Sequence, residues 1–341
     1  MPLPTTWMVR SGGGGKYFDD FRDRSMVAIG WAKVGDLASL SREQVMEIVR
    51  QAYPEFRSQA VAKAAGQLFR FASEFAEGDR VVTYDPRARK YLCGQIVGGY
   101  HFWPDEENEE FLNQRKVKWG HEFPRDDLTD AAQNSLGAIS TIFKVPTSVS
   151  AELWRESTAN VAVQSLPKVD DDEELAVGIT TESTDEEISS LASEAIKDRI
   201  ARLNWQEMQE LVAGLLRAMG YKTTVSPSGP DRGKDIIASP DGFGFQEPRI
   251  VVEVKHRREQ RMGSQEIRSF LGGRHPSDKG LYVSTGGFSK DAYYEAERAN
   301  IPLTLMDFEL LVDAILSHYA AFDEETKQLL PLKRIYWPVV K

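Results

Sequence analysis

The sequence predicts a two-domain chain of the α+β / α/β type: a front β-barrel or curled sheet with inserted helices, and a rear mixed sheet flanked by helices. Three observations predict it. Short strand-like runs separated by turn residues fill residues 1–150. An apolar helical stripe, three strand-like runs and then helix–strand repeats fill residues 195–320. An acidic stretch at 151–194 separates the two, and a tail at 321–341 follows.

In the front region "TTWMVRSG", "MVAIGW", "DRVVTYDP", "KYLCGQIVGGYHFW" and "RKVKWG" read as strands. The segment "VTYDPRARKYLCG" reads as a hairpin bent at Asp85-Pro86. Two helices interrupt them, "SREQVMEIVRQAY" with Ser41 as its cap and "AVAKAAGQLFRFASEF". Phe18 and Phe21 are placed on a further helix between the first two strands. Residues 165–190 are acidic and small, cannot bury enough apolar area to offset their ordering entropy, and read as a linker.

The rear region becomes helical from about 195. Met208, Leu211, Val212, Leu215, Leu216 and Met219 form the stripe of a core-facing helix closed by Gly220. Strands are predicted at 221–225, 235–238 and 249–255, a helix near 264–271, and a strand in "GLYVST". A helix near 289–299, the strand "IPLTLM" and the helix "DFELLVDAIL" complete the pattern.

Composition narrows the class. Hydrophobic residues make up 41% of the 341, enough for two cores. No run of about 18 apolar residues occurs, so no membrane span is expected. The start "MPLPTTWMVR" lacks the layout of a signal peptide, and Cys93, the single cysteine, excludes an internal disulfide framework. A cytoplasmic protein is expected. The net charge of −10 argues against a nucleic-acid partner until its distribution is read: residues 1–150 carry −1, 151–190 carry −9 and 191–341 carry 0.

The rear strands carry misplaced charges. Glu253 and Lys255, two apart on one strand, share a face, while Val252 and Val254 take the other. Asp235 opens the neighbouring strand. Two carboxylates meeting across adjacent strands repel unless a cation lies between them, and Mg²⁺ suits one or two carboxylates plus waters and phosphate oxygens. A lysine beside it orients or deprotonates a water and stabilises charge developing on phosphorus. The competing explanation is edge-strand decoration, since Lys and Glu guard exposed edges. A basic run favours the first: residues 249–274 carry a net +4, a patch that a phosphate backbone needs.

In order, "LVAGLLRAMGY", "GPDRGKDIIA", "VEVKHR", "GSQEIRSFLGG" and "GLYVSTGGFSKDA" resemble the catalytic domain of Mrr-type restriction endonucleases, within the PD-(D/E)xK nuclease superfamily. The resemblance covers roughly 200–317. It implies a restriction-endonuclease-like sheet and an endodeoxyribonuclease that uses Mg²⁺ (or Mn²⁺). It places the metal-binding aspartate on Asp235, the second acid on Glu253 and the lysine on Lys255. Many such domains have Gln where this chain has Glu253, and a first-helix Glu where it has Gln209. Gln209 can hold a water but supplies no charge; Glu207 flanks the same stripe. Arg257, Arg258, Arg261, Gln265 and Arg268 are the expected DNA-backbone contacts. Asp231 reads as a turn residue, and "STGGFS" as a strand-to-helix turn.

The front region is similar to the PUA-like barrels of the EVE and YTH group, on "WMVR", "VAIGW" and the later hairpin, over about 5–145. That similarity implies recognition of a modified or flipped base, which aromatic groups stack upon. Trp7, Trp31, Tyr84 and Trp103 are the candidate base-reading residues, with core packing the competing role. The expected whole is a modification-dependent endonuclease acting on modified double-stranded DNA, with a homodimer needed to cut both strands. The alternatives are an RNA or branched-DNA nuclease of the same fold, a silent nucleic-acid binder, and a protein-interaction module built on the linker acids.

Overall fold

A computed structural model describes residues 4–138, 140–156, 185–226, 235–257 and 260–334. The chain divides into two compact units, 1–192 and 193–341. Among the described residues no helix is long and apolar enough to cross a membrane.

In the front unit the elements run β1 (Thr6–Val9), α1 (Phe18–Asp23), β2 (Met26–Ile29), α2 (Arg42–Ala52), α3 (Ser58–Phe69), β3 (Arg80–Asp85), β4 (Lys90–Phe102), β5 (Asn113–Pro124), α4 (Asp130–Leu136), β6 (Ile142–Lys144) and α5 (Thr147–Leu153). The sheet order is β2-β5-β4-β3-β1-β6. All three predicted helices form, and Ser41 caps α2 in a capping box with Gln44. The predicted hairpin also forms, Asp85 pairing with Lys90.

The expected closed barrel is not seen. Among the described residues the sheet is open, with β2 and β6 at its edges. The long β4–β5 ribbon carries two register shifts, which bend and twist a ribbon. The edge strands are only four and three residues long, which limits how far either reaches toward closure. Strand β1 runs parallel to β3 and is buried throughout, because hydrophobic clusters cover both faces of the sheet.

The rear unit begins within α6 (Asp185–Ala201) and continues with α7 (Trp205–Ala218), β7 (Lys222–Val225), β8 (Ile236–Ser239), β9 (Arg249–Lys255), α8 (Ser264–Leu271), β10 (Asp278–Ser284), α9 (Lys290–Glu297), β11 (Leu303–Met306), α10 (Phe308–His318) and α11 (Glu324–Leu329). Its sheet has the order β11-β10-β9-β8-β7. Strands β9, β10 and β11 are parallel, and β7, β8 and β9 antiparallel, so the mixed sheet expected from the pattern is present.

One face of this sheet packs on α7 and α10 through Met208, Leu211, Val252, Val254, Val283 and Leu311. The other packs on α8 and α9 through Ile267, Phe270, Tyr282 and Ala292. Two expected boundaries shift. Helix α6 starts at Asp185 rather than near 195, and Ile196 and Ile200 join the core. Residues 157–184, most of the expected linker, lie outside the described residues. The expected tail reaches the core: Phe322 and Leu330 are buried in it, and α11 fits against α7 where Gly214 leaves room for Thr326. A C-terminal apolar residue buried this fully belongs to the domain it packs on.

Candidate active site

Strand β9 ends at the charged residues. Its apolar alternation drives Val252 and Val254 into the α7 core, which turns Glu253 and Lys255 to the opposite face. There Lys255 Nζ lies 2.7 Å from Glu253 Oε1. Glu253 is 8% exposed, and Lys255 is half-buried. Across the parallel ladder Glu253 pairs with Tyr282, and Lys255 with Ser284.

Asp235 stands just before the last β8–β9 pair, Ile236 with Val252. Its N–H donates to the Val252 carbonyl, and its Oδ2 accepts from Val254 N at 2.6 Å. The buried carboxylate therefore lies beside the Glu253–Val254 peptide. The Tyr282 hydroxyl is held un-ionised first by burial, and then by the negative charges of Glu253, Glu266 and Asp235. Tyr282 thus senses both carboxylates of the predicted pair. The structure brings Asp235, Glu253 and Lys255 to one end of the sheet.

Two buried carboxylates carried by adjacent strands are a hard oxygen donor set, which fits a Mg²⁺ or Mn²⁺ ion completed by water and phosphate. Among the described residues no group of three or more His, Cys, Asp or Glu side chains is placed to hold a metal.

Gln209 lies buried in α7, in the run that packs on the β9 valines. Glu207 is engaged differently: its Oε2 accepts from Asn204 N, completing the capping box of α7. His256 Nδ1 lies 3.2 Å from Thr285 Oγ1. Arg257, Arg261, Gln265 and Arg268 are exposed. Arg257 donates to Gln260, and Arg268 reaches Glu295 and Ser264. Arg258 and Asp231 lie outside the described residues. Arg274 is half-buried with its guanidinium 4.3 Å from the Phe270 ring, and burial lowers its pKa while Glu253 opposes that.

The turn "STGGFS" seats the basic loop. Thr285 N donates to the Lys255 carbonyl, and Met262 exchanges hydrogen bonds with Gly287 and Ser289. A Cβ on Gly286 would collide with the backbone carbonyls of Arg257 and Gln260. Only glycine permits this approach. Gly286→Ala is expected to displace the loop that carries Arg257 and Arg261, at a cost of about 1–3 kcal/mol in stability typical of overpacking. Thermal melting measures it, and an unchanged melting temperature would show that the loop's seat is immaterial.

The front aromatics divide. Trp7 is 5% exposed, stacked on Phe75 at 4.5 Å, with its indole N–H donating to Asp79. Tyr84 is buried against Tyr91. Neither offers a face to a base, so both are core residues, because β1 and β3 are central strands covered on both sides. Trp103 is 46% exposed beside His101.

Trp31 follows β2 rather than lying in a strand as expected, in a left-handed conformation with φ 79°. It makes edge contacts with Tyr53 and Phe56, which stack on each other at 5.2 Å. Pattern reading detects no signal that brings Trp31, the Tyr53–Phe56 segment and Glu110 together, since they lie in three separate parts of the sequence.

Residues 200–315 match the restriction endonuclease family model Mrr_cat. Residues 7–146 match a domain of unknown function, DUF8426. The uncharacterized protein y4cE of Sinorhizobium fredii (strain NBRC 101917 / NGR234) is 30% identical over 99 residues, 28% of this chain. The chain spans 25% of that relative's length. Two solved structures are similar: the MspJI restriction endonuclease in complex with a 27-mer oligonucleotide, and the DNA modification-dependent restriction endonuclease AspBHI. The first has a TM-score of 0.33 at 14% identity, covering 80% of this chain and 69% of that one. The second has 0.31 at 15%, covering 89% and 77%. The rear unit carries an Mrr-type restriction endonuclease domain over 200–315.

Proposed function

We propose that this chain, with a restriction endonuclease domain in its rear unit, is a metal-dependent endonuclease that cuts modified double-stranded DNA and acts in the cytoplasm against foreign DNA. The observation that carries the reading is the meeting of Asp235, Glu253 and Lys255 at one end of β8 and β9. The rear unit hydrolyses the phosphodiester, and the front domain (1–150) recognises the site as a PUA-like module.

Asp235 and Glu253 would hold Mg²⁺ or Mn²⁺, which when bound polarises the scissile phosphate and lowers the pKa of a water. Lys255 leaves its pairing with Glu253 to orient the attacking water and to stabilise charge on the phosphate. Gln209 offers an amide to hold water. Arg257, Arg258, Arg261 and Arg268, with Gln265, bind the DNA backbone, which positions the duplex without reading sequence. Each chain supplies one such centre, so cutting both strands takes a homodimer on DNA. Of the four candidate base-reading aromatics, Trp31 and Trp103 keep the exposure to meet a base.

The test incubates purified protein with methylated, hydroxymethylated and unmodified plasmid, in Mg²⁺, in Mn²⁺ and in EDTA. Cutting confined to modified plasmid in the presence of metal is expected. Equal cutting of all three plasmids would remove the modification reading and leave the nuclease. Binding without cutting under every condition would favour a silent binder.

A further inference from the structure

We infer that the corner formed by Gly30, Trp31 and Glu110 is a nucleobase site in which Glu110 selects bases bearing an exocyclic amino group, cytosine or adenine, over those with a carbonyl there. The inference rests on the front domain's base-recognition role and names the chemistry it reads.

Four observations build the site. Trp31 adopts the left-handed backbone conformation, which is strained for a bulky side chain and persists only where surrounding structure holds it. Its half-exposed ring meets Tyr53 and Phe56 at right angles, 5.3 and 6.0 Å between centroids, so the three rings brace one another. The residue before it has to be glycine for Glu110 to sit where it does: a Cβ at position 30 would collide with Glu110 Oε2. Finally, the Glu110 carboxylate is exposed, with the Lys16 ammonium near enough to feel its charge, while its backbone is fixed between Asn108 and buried Phe111.

An ionised carboxylate only accepts hydrogen bonds. Beside a ring platform it pairs with a donor in the plane of a stacked ligand. The N4 amino group of cytosine and the N6 amino group of adenine are such donors, whereas the carbonyl of thymine or uracil would face the acid and be repelled. An alternative occupant, a methylated ammonium, also suits aromatic rings beside an acid. Lys33 argues against it: its ammonium already lies 5.3 Å from the Tyr53 ring, where it would repel a cation and attract a phosphate. Arg57, exposed beside Phe56, adds a second positive charge.

The experiment uses the full protein in EDTA, so that no cleavage occurs. Fluorescence anisotropy measures binding to labelled duplexes with one central base: 5-methylcytosine against thymine, and 5-hydroxymethylcytosine against 5-hydroxymethyluracil. Each pair differs at the amino or carbonyl position on the same ring. The wild type is expected to favour the amino member about tenfold or more, as a charge-assisted hydrogen bond supplies. Glu110→Ala should abolish that preference. Gly30→Ala should do the same, since its methyl evicts the flexible end of Glu110. Trp31→Ala should weaken binding to every modified duplex. Preference retained in Glu110→Ala, with binding lost in Trp31→Ala, overturns the inference and leaves base recognition standing. Unchanged binding in Trp31→Ala overturns both. Binding of a trimethyl-lysine peptide without discrimination among duplexes also overturns it.

Discussion

Lys255→Ala is expected to reduce DNA cleavage by about 10²–10³-fold, the usual loss when one group that stabilises transition-state charge is removed. The lysine sits at the end of β9, half-buried, and pairs with Glu253 at 2.7 Å. Its removal leaves no hole in the apolar core, which lies on the valine face of the strand. The fold should therefore persist, with a modest loss from leaving the Glu253 carboxylate without its cation. Single-turnover cleavage in Mg²⁺ gives the rate, binding in EDTA reports on DNA affinity, and far-UV circular dichroism reports on the fold. Cleavage at the wild-type rate would remove Lys255 from the chemistry, and with it the main support for the site.

Asp235 separates a structural role from a chemical one. Its Oδ2 satisfies the buried N–H of Val254, so Asp235→Ala orphans that donor, which costs about 1–3 kcal/mol. Asp235→Asn keeps an oxygen able to accept the same bond but loses the charge that would hold a cation. Both variants are expected to lose cleavage by at least about 10²-fold, the loss seen when one group that stabilises charge at the reacting phosphate goes, while only the alanine variant loses substantial thermal stability. Glu253→Gln should behave like the asparagine variant. If Asp235→Asn cut DNA as fast as the wild type, its carboxylate would serve the strand end alone.

Much of the rear unit was legible because its information is local. The i, i+3, i+4 stripe from Met208 to Leu216 repeats with the helix, so it marks α7 and its buried face without knowledge of any partner. Alternation in β9 likewise assigns Glu253 and Lys255 to one side, and the ion pair between them follows. Ser41 marks the start of α2 by the same logic, since a cap bonds to a neighbour three residues away.

The sequence by itself determined which short segments are helix or strand and which face of each is apolar, because successive side chains are placed by backbone geometry alone. Only the tertiary structure decided the rest. Trp7 and Trp31 stand in similar-looking runs, yet one is enclosed between layers of a sheet and the other is strained at its edge. Glu110 meets Gly30 across 80 residues of chain, and α11 joins the core through Thr326 and Gly214, contacts that no local period encodes. Such meetings depend on how distant elements pack, a sum of many weak contacts over the whole domain rather than the preference of any one stretch.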